Sequence, residues 1–552
     1  MTLRLRERYD FIVVGGGIGG LAAAVAAADA GMSTVVLEKT STFGGVTAYS
    51  NGQLWVPMSH QETEAGIEDS AESGAGYLLR LGMGFARESH VRAYARNAHR
   101  VVKYFEDVID VRLTMIHGLP DYYYPDFDDA KPEGRYLEVE PFFGADLGEN
   151  RGLLRTSPHQ AFRLTHEDMW SLGSGARSYS WDRTLPDERE RQDALCMGTG
   201  LAAYFLRGAI DKKAQLAGDV TVTELVTDAT GRVTGVRVAG VDGVIRADRG
   251  VLIATGGYDW DPAAMRAFEG VVDIASAAPP AVVGDHLRLA GHIGARITQT
   301  PKPVRLGYKM PGRTDEGHQM TGIFRFPSYP HAILVNREGR RFCDESFYAS
   351  IGHALKVIDG RAQRFVNWPC WMIFDSQYRE QYAIGSVTPT SPVPPEWDWT
   401  TAETLAELAR KIGVDADGLQ TQVDTFNSDA AEGRDTQFRR GERPWSRKSY
   451  GDPAAAGHPN LGTIIKPPFF AMRPDLVGTG IPTAGLDTDE VGRVLGGTGE
   501  PISGLYAAGN SSAVLETGAG YQSGVANTRS LTVAYTSVRD AAQADGAPGR
   551  CG

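Results

Sequence analysis

The sequence predicts an α/β fold: a Rossmann-like domain with a β-meander, interrupted by an inserted α+β domain. Three observations predict it. A short β-rich run, Tyr9 to Val14 (YDFIVV), ends at GGGIGG and leads into an alanine-rich helical stretch, Leu21 to Ala30. From Val220 the chain reads as hairpins, TVTELVTD, VTGVRVAG and VIRADRG, before VLIATGGYD. With 552 residues the chain is too long for one ordinary core, and its texture changes in the middle, so a large insertion is expected.

Gly15, Gly17 and Gly20 form GxGxxG between the first strand and the first helix, which Gly31 stops. The glycines allow a tight turn and close approach of backbone to a pyrophosphate lying on the helix N-terminus. A second apolar run, Thr34 to Leu37, ends at Glu38, placed to accept a hydrogen bond from an adenosine ribose. Lys39 beside it and Val222 on the first hairpin strand are assigned to the same site. The next loop, STFGGVTAYSNG, adds Gly44, Gly45, Thr47, Ser50 and Gly52. A second glycine-rich, hydroxyl-bearing loop suits a long flavin dinucleotide. A nicotinamide site would need a second nucleotide fold. Gly198 to Ala203 matches GxGxxA but follows no convincing strand, so it is read as a helix start within the first domain.

On these segments the chain resembles the fumarate reductase/3-ketosteroid dehydrogenase superfamily of FAD proteins, whose members carry a similar GG-x-TA-x-S-x-G loop. The resemblance implies FAD. Relatives of the succinate dehydrogenase type attach it through a histidine in this loop; residues 41–52 contain none, so non-covalent FAD is expected. It further implies that Ala254, Thr255 and Gly256 return to the cofactor, and that Gly504 to Asn510 is the closing strand, with Gly509 and Asn510 at the flavin. Cofactor segments so far apart imply a discontinuous FAD-binding domain, 1–290 and 463–552, around a catalytic or capping domain at 291–462. Inside that insert, 402–427 has the apolar spacing of a surface helix, and the region after residue 300 reads as proline-punctuated loops.

Lys+Arg 56 against Asp+Glu 68 gives a net charge of −12 with no basic stripe, so no nucleic-acid partner is expected. Cys196, Cys343, Cys370 and Cys551 form neither CxxC nor CxxCH, and are read as reduced core thiols with no metal site. MTLRLRERYDF lacks an apolar run, and no stretch approaches about 20 apolar residues. A soluble, cytoplasmic protein without a transmembrane segment is expected.

Near the end of the chain, TGAGYQSGVANTR (Thr517 to Arg529) sets a phenol beside exposed backbone amides. In 3-ketosteroid 1-dehydrogenases a similar GN-S-x-A segment precedes a tyrosine, a glycine-rich turn and a helix start. In that frame the family's tyrosine falls on Gly520, with Tyr521 one place later, and its carbonyl-binding glycine falls on Gly524. The order Tyr521-Gln522-Ser523-Gly524 is similar to 4-(5α)-dehydrogenases, where a tyrosine and a serine two apart both serve catalysis. Desaturation beside a ketone removes an α-proton while a β-hydride passes to flavin N5, so donors must hold the oxygen as it becomes an enolate. The resemblance implies the Tyr521 hydroxyl and the Gly524 N–H for that task. For proton removal it implies Ser523 or Tyr329 assisted by Tyr122. Tyr123 and Tyr124 compete with Tyr122, and Tyr308 competes with Tyr329.

Arg529 has two readings. It holds a substrate carboxylate, as in fumarate reductases, or forms a surface or FAD-side salt bridge. RFCDESFYAS lacks the proton-donating arginine of those reductases. The expectation is therefore an FAD-dependent ring-ketone dehydrogenase resembling the 3-ketosteroid 1-dehydrogenases. A small cyclic ketone, such as cyclohexanone or 4-oxocyclohexanecarboxylate, is one alternative and a fumarate- or urocanate-type reductase another. An external acceptor, whether quinone, dye or O2, would reoxidise the flavin.

Overall fold

The computed structural model describes residues 5–159 and 163–543; Cys551 lies outside them. Its main sheet contains β1 (Arg8–Val14), β2 (Thr34–Leu37), β3 (Gln215–Ala217), β4 (Val222–Thr227), β5 (Val233–Val238), β6 (Ile245–Ile253), β7 (Arg493–Leu495) and β8 (Pro501–Ala507). The order is β7-β8-β6-β1-β2-β3, and β8, β6, β1, β2 and β3 run parallel. The antiparallel β4–β5 hairpin attaches to the first half of β6, with Gly235 opposite Arg246. Phe11–Val14, Val35–Leu37 and Val251–Ile253 are all buried. Covered on both faces, such strands read as unbroken apolar runs.

Helix α1 (Ile18–Asp29) is buried from Ile18 to Ala27 and packs against α2 (Met197–Asp211) and α3 (Val525–Gln543). Alanine lets the helices approach closely, and burial on every side removes any polar face. The GxGxxA stretch at 198–203 lies within α2, where Thr199 Oγ1 donates to the Ala48 carbonyl at 2.9 Å. Among the described residues no helix is long and apolar enough to cross a membrane. Cys196, Cys343 and Cys370 are free and buried, and burial pushes the Cys196 thiol up to about 12.

The middle of the chain builds an antiparallel sheet in the order Ala332–Val335, Trp371–Asp375, Phe469–Met472, Trp399–Ala402. A second sheet joins Ile274–Ser276, Asp475–Gly478, Arg305–Asp315 and His318–Ile323. Phe469–Met472 and Asp475–Gly478, which follow 291–462, thus pair with strands inside it, and Ile274–Ser276, which precedes it, joins the second sheet through Asp475–Gly478.

Three local expectations change. VIRADRG and the following VLI form one strand, β6, whose first half pairs antiparallel with β5 and whose second half runs parallel to β1 and β8. The stretch 402–427 is not one helix but Leu405–Ile412 and Ala416–Ala431, because Gly413 is left-handed (φ 72°) and the Asp415 side chain caps the second helix. The region after residue 300 holds an 11-residue strand rather than loops. Its ladder breaks between Lys309 and Thr314, around Pro311 and Gly312, whose types read as punctuation.

Candidate active site

A cavity of about 910 Å³ opens at the C-terminal ends of β1 and β6, where a ligand of a parallel sheet is expected. Of the predicted cofactor residues, Gly15, Gly17, Glu38, Lys39, Gly45 and Thr47 line it. So do Val222, Ala254, Thr255, Gly256, Gly509 and Asn510. Gly20, Gly44, Ser50 and Gly52 do not. They shape its walls instead: a Cβ on Gly20 would come within 1.9 Å of the Gly15 carbonyl oxygen, so glycine is what lets helix and strand approach. Ser50 Oγ donates to the Thr47 carbonyl at 2.8 Å and accepts from the Gly52 N–H at 3.0 Å.

The cavity suits a dinucleotide. Nothing lies within 4 Å of where a Gly17 side chain would project, so the backbone there faces open space. The first turn of α1 has no capping side chain, which leaves amides for a pyrophosphate. Glu38 accepts from Gly16 N at 2.7 Å and from Thr40 N and Oγ1 at 2.9 Å each. With a single partner, Oε2 keeps a lone pair for a ribose hydroxyl. Lys39 Nζ pairs with Asp285 at 2.6 Å. Arg155, Val282, Asp285 and Ser530 also line the cavity, and no motif marked them.

The helix that follows the C-terminal turn reaches this cavity through Ser530 and through Asn527, which bonds Thr47. Residues 517–520 and 522–524 are buried and Tyr521 is half-buried. Thr47, in the cavity wall, donates to Asn527 Oδ1 at 3.2 Å, and Asn527 Nδ2 donates to the Gln53 carbonyl at 3.1 Å. Gly524 (φ +88°) precedes the start of α3; a Cβ there would meet Trp55 N at 2.5 Å. Glycine is required by the left-handed turn and by the strand Leu54–Trp55 behind it.

Tyr122, Tyr348 and Tyr521 meet in one aromatic cluster. Ring centroids are 6.2 Å apart for Tyr122–Tyr521, 5.3 Å for Tyr348–Tyr521 and 5.6 Å for Tyr122–Tyr348, and Trp445 lies 4.2 Å from Tyr122. Burial pushes the Tyr122 phenol well up, with Tyr521 and Tyr450 adding to it and Arg305 and Ser523 opposing. Tyr122 is therefore a neutral hydrogen-bonding group rather than a phenolate.

Ser523 ends a buried chain of hydrogen bonds. Glu138 Oε2 receives the His166 backbone N–H at 2.9 Å and His166 Nδ1 at 2.8 Å. A proton on Nδ1 leaves His166 Nε2 as acceptor for Gln53 Nε2 at 3.2 Å, and Gln53 Oε1 then accepts the Ser523 hydroxyl at 2.5 Å. With its proton so committed, the serine oxygen offers lone pairs, not a donor, to its surroundings.

Tyr329 and Tyr308 lie in the neighbouring core, next to Arg325, and Arg529 is bound within the fold. Tyr329 packs in the neighbouring core, stacked on Tyr382 at 5.4 Å, and shares no ring contact with Tyr122 or Tyr521 among the described residues. Tyr308 is buried against Phe326 and Trp397. Tyr123 stacks on Phe127 at 4.5 Å, which leaves Tyr122 as the member of its run that faces Tyr521. Arg529 is 1% exposed and bound to Glu516 at 2.7 Å, the Gly509 and Ala513 carbonyls, and Ser512. Its donors are used inside the fold, so the salt-bridge reading holds and the carboxylate reading falls. Tyr348, Tyr450 and Arg305 were missed, since an aromatic or an arginine on a strand carries no local mark of a site.

The family model of an FAD binding domain matches residues 10–526. The chain belongs to this family. This FAD-binding protein is 34% identical over 517 residues to 4-oxocyclohexanecarboxylate 2-dehydrogenase of Sinomonas cyclohexanicum, covering 92% of this chain and 88% of that one. It is 30% identical over 569 residues to 3-oxosteroid 1-dehydrogenase of Comamonas testosteroni, covering 97% and 96%. The crystal structure of 3-ketosteroid delta1-dehydrogenase from Sterolibacterium denitrificans superposes with a TM-score of 0.86 at 30% identity, covering 97% of this chain and 100% of that one. The cofactor of the FAD-binding protein is FAD, and its family relatives are dehydrogenases, so it is an FAD-dependent oxidoreductase.

Proposed function

We propose that this FAD-binding protein introduces a C=C bond conjugated to a ring ketone. The observation that carries the reading is the buried turn 517–524, which sets Tyr521 beside Tyr122 and Tyr348 and runs through Ser523 and Gly524 into the helix whose Ser530 lines the cofactor cavity. The Tyr521 hydroxyl and the Gly524 N–H hold the ketone oxygen and stabilise the charge that gathers on it as the α-proton leaves. Gly524 immediately precedes a 19-residue helix, whose N-terminal dipole adds to that field. Ser523 passes on the α-proton: as its oxygen takes that proton up, its own hydroxyl proton moves to Gln53 Oε1 while Gln53 Nε2 gives one to His166 Nε2, where Glu138 stabilises the imidazolium, and Tyr122 lies beside it. Bound FAD supplies the acceptor for the β-hydride. An external quinone, dye or O2 then takes the electrons.

Relatives named as oxidising 4-oxocyclohexanecarboxylate and 3-oxosteroids support this direction. A fumarate-type reductase has less support, since Arg529 is engaged by Glu516. Strand pairing supports a cap that runs from about residue 274 to 478, wider than 291–462. The test is anaerobic mixing of the holoenzyme with monocyclic and steroid ketones. Bleaching of the oxidised flavin band is expected, and an unchanged spectrum with every ketone would refute the reading.

A further inference from the structure

We propose that Arg305, with Arg325 beside it, binds the carboxylate of a monocyclic oxo acid, so that the ring lies between this anion site and the ketone grip of Tyr521 and Gly524. The proposal rests on the desaturase reading above and names its substrate class.

A second cavity, of about 360 Å³, is lined by Arg305, Arg325, Tyr348 and Tyr450 among others. It shares a wall with the catalytic cluster: the Arg305 guanidinium lies 4.0 Å from the Tyr348 ring centroid and 4.6 Å from that of Tyr521. Arg325 lies 6.0 Å from the Tyr450 ring.

Neither guanidinium has a carboxylate or carbonyl partner among the described residues; their charged neighbourhood consists of phenols alone. The fully buried arginines of this protein, by contrast, are matched. Arg135 pairs with Asp69 and Asp121, Arg341 with Glu345 and Asp435, and Arg529 with Glu516. Glu345 reaches the same cavity, but Arg341, Arg440 and the Leu334 N–H already occupy its oxygens. Arg305 is half-buried and Arg325 is exposed, so both guanidinium groups are open to an entering anion, and neither has to release a carboxylate first. Ring faces hold Arg305 through its π surface, which leaves N–H donors for a bidentate carboxylate. A neutral four-ring ketone would gain nothing from either charge.

The test is anaerobic flavin reduction of the holoenzyme by 4-oxocyclohexanecarboxylate, its methyl ester and 4-methylcyclohexanone. The acid is expected to exceed the ester in kcat/KM by roughly tenfold to hundredfold, mainly through KM, as for a charge-assisted pair. Cyclohexanecarboxylate, an anion without a ketone, is expected to compete with it. R305M should cut the acid's kcat/KM at least tenfold more than the ester's, with R305K intermediate and R325Q in the same direction. Bleaching by neutral or steroid ketones with no preference for the acid overturns this proposal alone. Equal losses for acid and ester in R305M also overturn it, since Arg305 would then act on Tyr521 and not on substrate. No bleaching by any ketone overturns the desaturase reading and this proposal with it.

Discussion

Lys302 Nζ donates to Thr517 Oγ1 at 2.9 Å, and reaches on to the Gly518 carbonyl at 2.5 Å and the Gly520 carbonyl at 3.3 Å. One buried ammonium thus ties down the turn that ends in Tyr521. Burial pulls this lysine down to about 7 from an ordinary 10.5. Between those two values the unfolded chain binds more protons than the folded one, so stability from this group rises with pH from about 7 to about 10.5 and is level below 7. Thermal unfolding from pH 7 to 10 should show that rise in the wild type and a shallower one in Lys302→Met. An identical slope in both proteins would remove Lys302 as its source.

Replacement of Tyr521 by phenylalanine should leave FAD content unaltered and slow anaerobic flavin reduction roughly a hundredfold or more, the typical cost of one oxyanion donor. Stopped-flow traces at saturating ketone measure it. A near-normal rate would take the phenol out of the reaction.

Gln53→Leu keeps shape but releases the Ser523 hydroxyl and leaves His166 Nε2 unpaired. Flavin reduction should slow about tenfold, the worth of one hydrogen bond of this kind, with FAD content and the KM of the ketone little changed. A change confined to KM would mean that the chain from Glu138 shapes the binding site rather than the serine's polarity.

Glu38→Ala should lower the FAD retained through gel filtration. Because Glu38 also holds the Gly16 N–H and Thr40, the apoprotein should lose about 1–3 kcal/mol as well. Full cofactor content would contradict the ribose assignment.

Arg529→Met breaks a pair in which both side chains are at most 3% exposed. The expected loss is about 3–5 kcal/mol in denaturant unfolding. A stable variant that had merely lost affinity for an acidic substrate would restore Arg529 as a carboxylate anchor.

The cofactor cradle was legible because its parts are local. Glycines at 15, 17 and 20 and an acid at 38 act within one strand–turn–helix–strand unit, where spacing along the chain equals spacing in space. The turn at Tyr521 stood out as a phenol, a serine and glycines in one short loop before a helix, and its role was implied by the family resemblance. The tertiary structure decided the rest. Gln53, Tyr122, Glu138, His166, Arg305 and Tyr348 come from segments far apart, and nothing in their neighbours' identities says which ring faces the core and which the substrate. Tyr122 rather than Tyr123 faces Tyr521, and Arg305 rather than Arg529 is the arginine proposed for a carboxylate, because Phe127 stacks on one tyrosine and Glu516 neutralises one arginine. Local sequence sets which chemistry a residue offers, while cross-chain packing determines whether that chemistry is spent inside the fold or left free for a ligand.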